Sequence, residues 1–325
     1  MLDLQMKVKI PKIAWLTTFL GLFFIVLSLT PSATLGQINS AAATFLLVVS
    51  KQSGPYLMCE EGVKKAIRLG WKGPYKIYTI YLNTDEIDEL KEKIERLQPT
   101  AAILIGTRAA FFIKEIHPSY PWVATFFLKK SIQQLKLKRL LAVTMDVPLE
   151  KKLDILCMIK NNIRAGLLEP NQKQSLQKQY DENACKGKNA YLVMAPYSTS
   201  IEVALNNILK LSINSFFITP DPEIFSSQEA VTYTLLWGLR NKIAVCGLSS
   251  GYVKNGALYA LEADIPDLGR QAAELMMDYL TGKIKKEKII KHPRKLVLSL
   301  NLRTARRLGV KVPDSVIDMA QIIIR

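Results

Sequence analysis

From position 44 onward, unbroken apolar runs alternate with segments of helical spacing. Residues 44–50 (TFLLVVS) are apolar and β-branched, the pattern of a strand buried on both faces. GPYLMCEEGVKKAIRLGW follows with apolar residues near every third or fourth position, and Gly70 offers a stop. The couplet then repeats. Strands are predicted over 75–82, 100–107, 122–128 and 140–145, with helices in DEIDELKEKIERL and RAAFFIKEI. A second series opens with the helix PLEKKLDILCMIK (148–160). Its strands are predicted over 164–170, 189–196, 215–220, 242–248 and 257–262, with helices in IEVALNNILKL and EAVTYTLLWGLR.

Apolar strands alternating with helices predict parallel sheets covered on both faces. The fold class expected is therefore α/β, with two Rossmann-like, doubly wound lobes and a first crossing at 143–148. Ligands of open parallel sheets sit at the carboxyl ends of the strands. Two such lobes make a cleft that closes by hinge motion, which favours ligand capture over covalent chemistry.

The first 36 residues follow a different pattern. Lys7, Lys9 and Lys12 precede a run without charge over 13–30; Pro31 and the small residues SATLGQ come next. Thr34 and Gly36 fit a cleavage site, so residues 1–36 are read as a signal peptide. The other reading is an uncleaved anchor, because 18 apolar residues just span a bilayer. Both place the remainder in the periplasm or elsewhere outside the cytoplasm.

Charge changes the picture locally. The chain has 44 Lys+Arg against 28 Asp+Glu, a net +16. Between Lys283 and Lys311 stand eleven Lys/Arg against one acid, Glu287. Such a segment is a solvated face or a patch for an anionic surface.

Catalytic and metal chemistry find little support. There is no GxSxG, HExxH, phosphate loop or GxGxxG after a strand. His117 precedes a proline in a turn and reads as a surface residue; the other histidine is His292. None of Cys59, Cys157, Cys185 and Cys246 forms a CxxC pair, so no zinc site and no cofactor are expected. Cys157 and Cys246 lie in apolar runs and read as buried thiols. A disulfide suits an oxidising compartment, but spacing does not name its partners.

Candidate binding residues come from the strand ends. They are Ser50, Gln52, Ser53, Gly54 and Tyr56; Gly106, Thr107 and Ala109; Glu169 and Asn171; Tyr197, Ser198, Thr199 and Ser200; Asp221; and Ser249, Ser250 and Gly251. Glycines admit a ligand to backbone N–H groups, and helix N-termini favour a carboxylate. Tyr56 and Tyr197 can wall in an apolar group. Pro220 and Pro222 fix the backbone around Asp221, whose carboxylate suits an ammonium. Turn and capping roles compete for every one of these residues.

Three late stretches carry a family resemblance: TPDPEIFSSQEAV, IAVCGLSSGYVKNGALYALEADIPDLGRQAAELMMDYLTGK and PRKLVLSLNLRTARRLGVKVPDSVIDMA. GPYLMCEEGVKKAI, ILIGTRAA and LLAVTMDVPLEKKLDIL are weaker echoes. Together they resemble ABC-transporter substrate-binding proteins of the tryptophan/tyrosine type, with a type I periplasmic-binding-protein fold. The resemblance implies lobes joined by three crossing strands. Residues 44–146 with about 263–295 would form the first lobe, and 147–262 with about 296–325 the second. It implies capture of a small, amino-acid-like ligand, aromatic amino acids included, and delivery to an ABC permease by a monomer that is not an enzyme. By position the pocket would include Ser53, Tyr56, Thr107, Asp221, Ser249 and Ser250, with Tyr197 added from the strand ends. A periplasmic sensory or structural derivative that partners a membrane protein is the alternative.

The sequence departs from the family pattern in SIQQLKLKRLL and EPNQKQS, which puts the ligand's identity in question. In the last basic helix, LVLSL would be the third crossing strand and Asn301 a cap. Leu302, Ala305 and Leu308 would face inward, with Arg303, Arg306 and Arg307 outward and Gly309 at the stop. An exported chain argues against a nucleic-acid reader.

Overall fold

The computed structural model describes residues 42–325 except 83–86, 117, 134–136, 138, 171–172, 180–184, 186–188 and 198–199. The expectations for residues 1–36, His117, Asn171, Ser198 and Thr199 therefore lie outside the described residues, as do parts of the two divergent segments.

The first half of the chain forms β1 (Ala43–Val49), α1 (Gly54–Gly70), β2 (Tyr75–Tyr81), α2 (Ile87–Leu97), β3 (Ala101–Ile105), α3 (Thr107–Ile116), β4 (Trp122–Thr125), α4 (Lys129–Gln133), β5 (Leu140–Val143) and α5 (Leu149–Ile159). Next come β6 (Ile163–Glu169), β7 (Leu176–Gln179), β8 (Ala190–Pro196), α6 (Ile201–Leu209), β9 (Ser215–Phe217), α7 (Gln228–Arg240), β10 (Ala244–Gly247) and α8 (Ser250–Lys254). The chain ends with β11 (Tyr259–Ala263), α9 (Ile265–Leu280), β12 (Lys288–Lys291), β13 (Leu296–Asn301), α10 (Leu302–Leu308), α11 (Asp314–Met319) and β14 (Ile322–Ile324).

Two sheets result. The first has the order β12-β5-β4-β3-β1-β2 and is parallel throughout. The second has the order β14-β13-β11-β10-β9-β6-β8-β7, with β13 antiparallel to β11 and β7 antiparallel to β8. The fold is that of periplasmic binding proteins. The inner strands are the apolar runs: β3 and β4 are buried along their whole length. β7, β12 and β14 escaped the pattern because they are short edge strands: β7 is mostly polar, β12 is half polar, and β14 is only three residues.

The chain crosses between sheets three times. It leaves β5 through 144–148 to reach α5, leaves β11 at Asp264 to enter α9, and leaves β12 through 292–295 to enter β13. LVLSL is thus a member of the second sheet, entered directly from the third crossing. Asn301 caps α10 by accepting from the Thr304 N–H at 2.9 Å, and Gly309 closes it at φ 69°.

Close contact of α1 with α9 fastens the second crossing to the first sheet. A Cβ on Gly62 would stand 2.0 Å from the Pro266 carbonyl oxygen, and one on Gly269 2.0 Å from that of Cys59. Only hydrogen fits at either position. The second and third crossings are also joined to each other. Lys295 Nζ meets Asp264 Oδ2 at 2.6 Å, the Asp264 N–H donates to the Lys295 carbonyl at 3.0 Å, and Arg294 reaches Asp267 at 2.9 Å and Glu274 at 3.0 Å. Burial would raise the Asp267 carboxyl, but Arg294 and Arg270 hold it below the usual carboxylate range.

One cysteine reading is corrected. Cys157 is bonded to Cys185 rather than a free thiol. Its apolar neighbours in α5 masked this, since a buried disulfide and a buried thiol leave the same local pattern. Cys59 and Cys246 are the buried free thiols among the described residues.

Candidate functional site

A cavity of about 410 Å3 lies between the lobes, lined by Met145, Asp146 and Val147 of the first crossing and by Ala263 and Ile265 on either side of the second. Phe126, Leu128 and Met145 wall it from the first sheet's strand ends, and Ile265 and Leu268 from the start of α9. Leu167, Phe217, Ile218, Leu248 and Leu261 wall it from the second. Such a lining suits a small, largely apolar ligand held by a few polar groups.

The polar groups differ in what they already do. Asp146 Oδ2 accepts from the Lys129 N–H at 2.6 Å. Glu262 Oε1 accepts from the Ser250 N–H at 2.9 Å, so the N-terminus of α8 is capped by the chain itself. Glu169 is half-buried: burial pushes its carboxyl above the usual range, the nearby Asp221 charge adds to this, and Lys130 opposes it. Lys152 is 7% exposed. Among the described residues, no hydrogen bond or ion pair to its ammonium is found. Its backbone carbonyl accepts from the Tyr259 hydroxyl at 2.7 Å, which fixes this turn of α5 against the second sheet. Burial pushes the neighbouring Cys246 thiol up to about 11, with the Lys152 charge opposing.

The seven residues expected from the sequence are distributed unevenly. Ser249 lines the cavity, at the N-cap of α8. Ser250 lends the N–H that Glu262 occupies. Asp221 lines an adjoining recess of about 410 Å3 that shares Leu128, Thr219, Pro220 and Leu248 with the cavity. Its Oδ2 receives the ammonium of Lys130, from α4 in the other lobe, at 2.8 Å; Glu223 takes the same ammonium at 3.4 Å. Asp221 Oδ1 accepts from the Glu223 N–H at 2.9 Å. The ammonium partner foreseen for Asp221 is therefore supplied by the protein.

The remaining three first-lobe residues and Tyr197 lie off the cavity wall. Tyr56 packs edge to face on Phe126, with centroids 4.8 Å apart. Phe126 itself holds φ 59°, a left-handed conformation unusual for a bulky residue. Gly106 (φ 95°) makes room for this corner, because a Cβ there would lie 2.6 Å from both Tyr56 and Ser50 Oγ. Ser53 sits half-buried at the N-cap of α1 without a side-chain capping bond, and Thr107 is exposed at the start of α3. The N-terminus of α3 is capped by Ser50, whose Oγ accepts from the Ala109 N–H at 2.8 Å. Tyr197 packs on the second lobe's core, and its N–H donates to the Glu169 carbonyl at 3.1 Å.

Lys152, Asp146 and Glu262 were missed at the sequence level. A signal existed for Lys152. At helical spacing it shares a face with Leu149, Ile155 and Leu156, and a lysine in an apolar stripe is out of place. Asp146 lies in the first crossing and Glu262 near the end of β11, where no periodicity singles them out.

Two lobes, three crossings and a mainly apolar cavity between them are the architecture of periplasmic binding proteins. Residues 169–324 match the family model described as ABC transporter substrate binding protein. The family is a solute-binding, extracytoplasmic and non-enzymatic class whose members bind small ligands and work with ABC permeases. Among solved structures, the chain is similar to a ligand-free, open substrate binding protein with adhesive properties from Clostridium difficile. The identity is 16%, the TM-score 0.65, and the match covers 87% of this chain and 99% of that one. It is also similar to an ABC domain in complex with L-Trp from Streptococcus pneumonia (15% identity, TM-score 0.54, 87% of this chain and 100% of that one). A conserved domain protein from Vibrio cholerae gives 17% identity and a TM-score of 0.52, over 87% and 99% of the two chains. At these identities the likeness is one of fold. No curated protein matches the sequence. No helix among the described residues is long and apolar enough to cross a membrane, and no group of three metal-ligating side chains is found among them.

Proposed function

We propose that this chain is the solute-binding component of an ABC importer. It captures a small ligand between the lobes by hinge closure and hands it to a permease in the cytoplasmic membrane. The observation that carries this reading is the inter-lobe cavity of about 410 Å3, bordered by the first and second crossings and lined mainly by apolar side chains. The ligand class is amino-acid-like, with aromatic bodies suited to the walls at Phe126 and Phe217; the bound L-Trp of the Streptococcus neighbour agrees with that choice. The charge-free run at 13–30 serves as an export signal or anchor, and the protein acts as a monomer.

A second reading is favoured by one contact. Lys130 places the protein's own ammonium on Asp221 across the cleft, as a derivative that no longer transports would do. A thermal-shift screen of the full-length protein against amino acids and other small solutes separates the two. A ligand that binds only the folded state stabilises it by about 2.7 kcal/mol at a hundredfold excess over its Kd. A clear rise in Tm with one solute supports capture. A flat response across the panel supports the derivative.

A further inference from the structure

We propose that Lys152 anchors the anionic group of the captured ligand, and that this ligand is a small apolar carboxylate for which an amino group is dispensable. The inference rests on the capture reading above and names the ligand's chemistry.

Three observations lead to it. First, Lys152 is 93% buried by its 7% exposure, lines the cavity, and has no hydrogen bond or ion pair at its ammonium among the described residues. Buried charges are paired, so the ammonium of a largely buried side chain that lacks a partner within the protein has room for one from outside. Second, several other positive features near the cavity are already engaged. The α8 N-terminus is capped by Glu262, the α3 N-terminus by Ser50, and Lys130 is paired with Asp221 and Glu223. Lys152 is the one lysine or arginine among the described residues that line the cavity. Third, the ammonium-binding side of an amino-acid site is compromised. Asp221 is paired with Lys130 at 2.8 Å, and burial, with the Asp221 charge, raises the Glu169 carboxyl above its usual range, which weakens it as a partner for an ammonium. The Thr219 hydroxyl, on the same wall, also lacks a hydrogen-bond partner among the described residues.

The test uses ligands of one body with different heads, on the full-length protein, read by calorimetry and thermal shift. One trio is 3-phenylpropanoate, L-phenylalanine and 2-phenylethylamine; the other is 4-methylpentanoate, L-leucine and 3-methylbutylamine. In at least one trio the carboxylate is expected to bind within tenfold of the amino acid, and the amine not at all. Lys152→Met, which keeps the apolar stem, is expected to weaken carboxylate binding at least tenfold without lowering the Tm of the unliganded protein. Lys152→Arg is expected to restore part of it. Tightest binding by an amine, binding by the amino acid without its carboxylate analogue, or undiminished carboxylate binding by Lys152→Met overturns the inference. If only neutral sugars from a parallel panel bind, the inference falls and the capture reading stands. If nothing binds, both fall.

Discussion

The two walls of the cavity are built from similar materials and use them differently. In the first lobe, two residues at the strand ends serve the fold itself: Ser50 caps α3, and Tyr56 braces Phe126 at a left-handed corner. In the second lobe, Lys152 and Glu169 stand in the cavity wall without such engagement, and Asp221 turns outward to meet Lys130. Residue type at a strand end thus does not tell a ligand contact from a structural cap. What distinguishes them is whether the polar atom already has a partner.

That contrast can be broken at its most rigid point. Gly62→Val drives a side chain into the Pro266 backbone, so α1 and α9 must separate. We expect a loss of about 3 kcal/mol or more in the unfolding free energy, read as a lower denaturant midpoint. A loss below about 1 kcal/mol would show that the helix contact yields easily and that the first lobe is not the rigid partner.

The next effect has the opposite sign. Removing the unpaired charge with Lys152→Met should stabilise the unliganded protein by about 1 kcal/mol, raising its Tm by a few degrees. Destabilisation on that scale would mean that the ammonium has a favourable role in the empty protein.

The smallest effect concerns Glu169. Its carboxyl titrates above its usual value, so the stability associated with its protonated form is full below the unfolded-state value and is lost as pH rises through the folded-state value. Glu169→Gln should therefore give a slightly higher Tm than the parent at pH 7, by about 1 °C, and no advantage near pH 4. An advantage that grows toward acid would reverse the assignment. Asp267 behaves oppositely: held low by Arg294 and Arg270, it contributes stability that disappears as pH falls through its depressed value.

Much of the architecture was legible because buried parallel strands announce themselves. The runs that became β1, β3 and β8 have no other comfortable reading, and Asn301 with Gly309 marked both ends of α10. The edge strands β7, β12 and β14 were not legible, since an edge asks little of its side chains. At the site, Ser249 was found by its place after β10, and Asp221 by its flanking prolines. Its pairing with Lys130 was not, because the two residues are 91 positions apart and meet only across the cleft. Lys152 was visible as an anomaly in an apolar stripe and was read past. The Cys157–Cys185 pairing spans 28 residues and leaves no local trace.

The ties between the second and third crossings have a mechanical consequence. With Lys295 bound to Asp264, Arg294 to Asp267 and Glu274, and His292 Nδ1 3.0 Å from the Asp146 carbonyl, all three crossings are tied side by side. A single tether would leave the lobes a ball joint, free to swivel about any axis. Crossings tied side by side favour a door hung on one axis, with each opening of the cleft retracing the same arc.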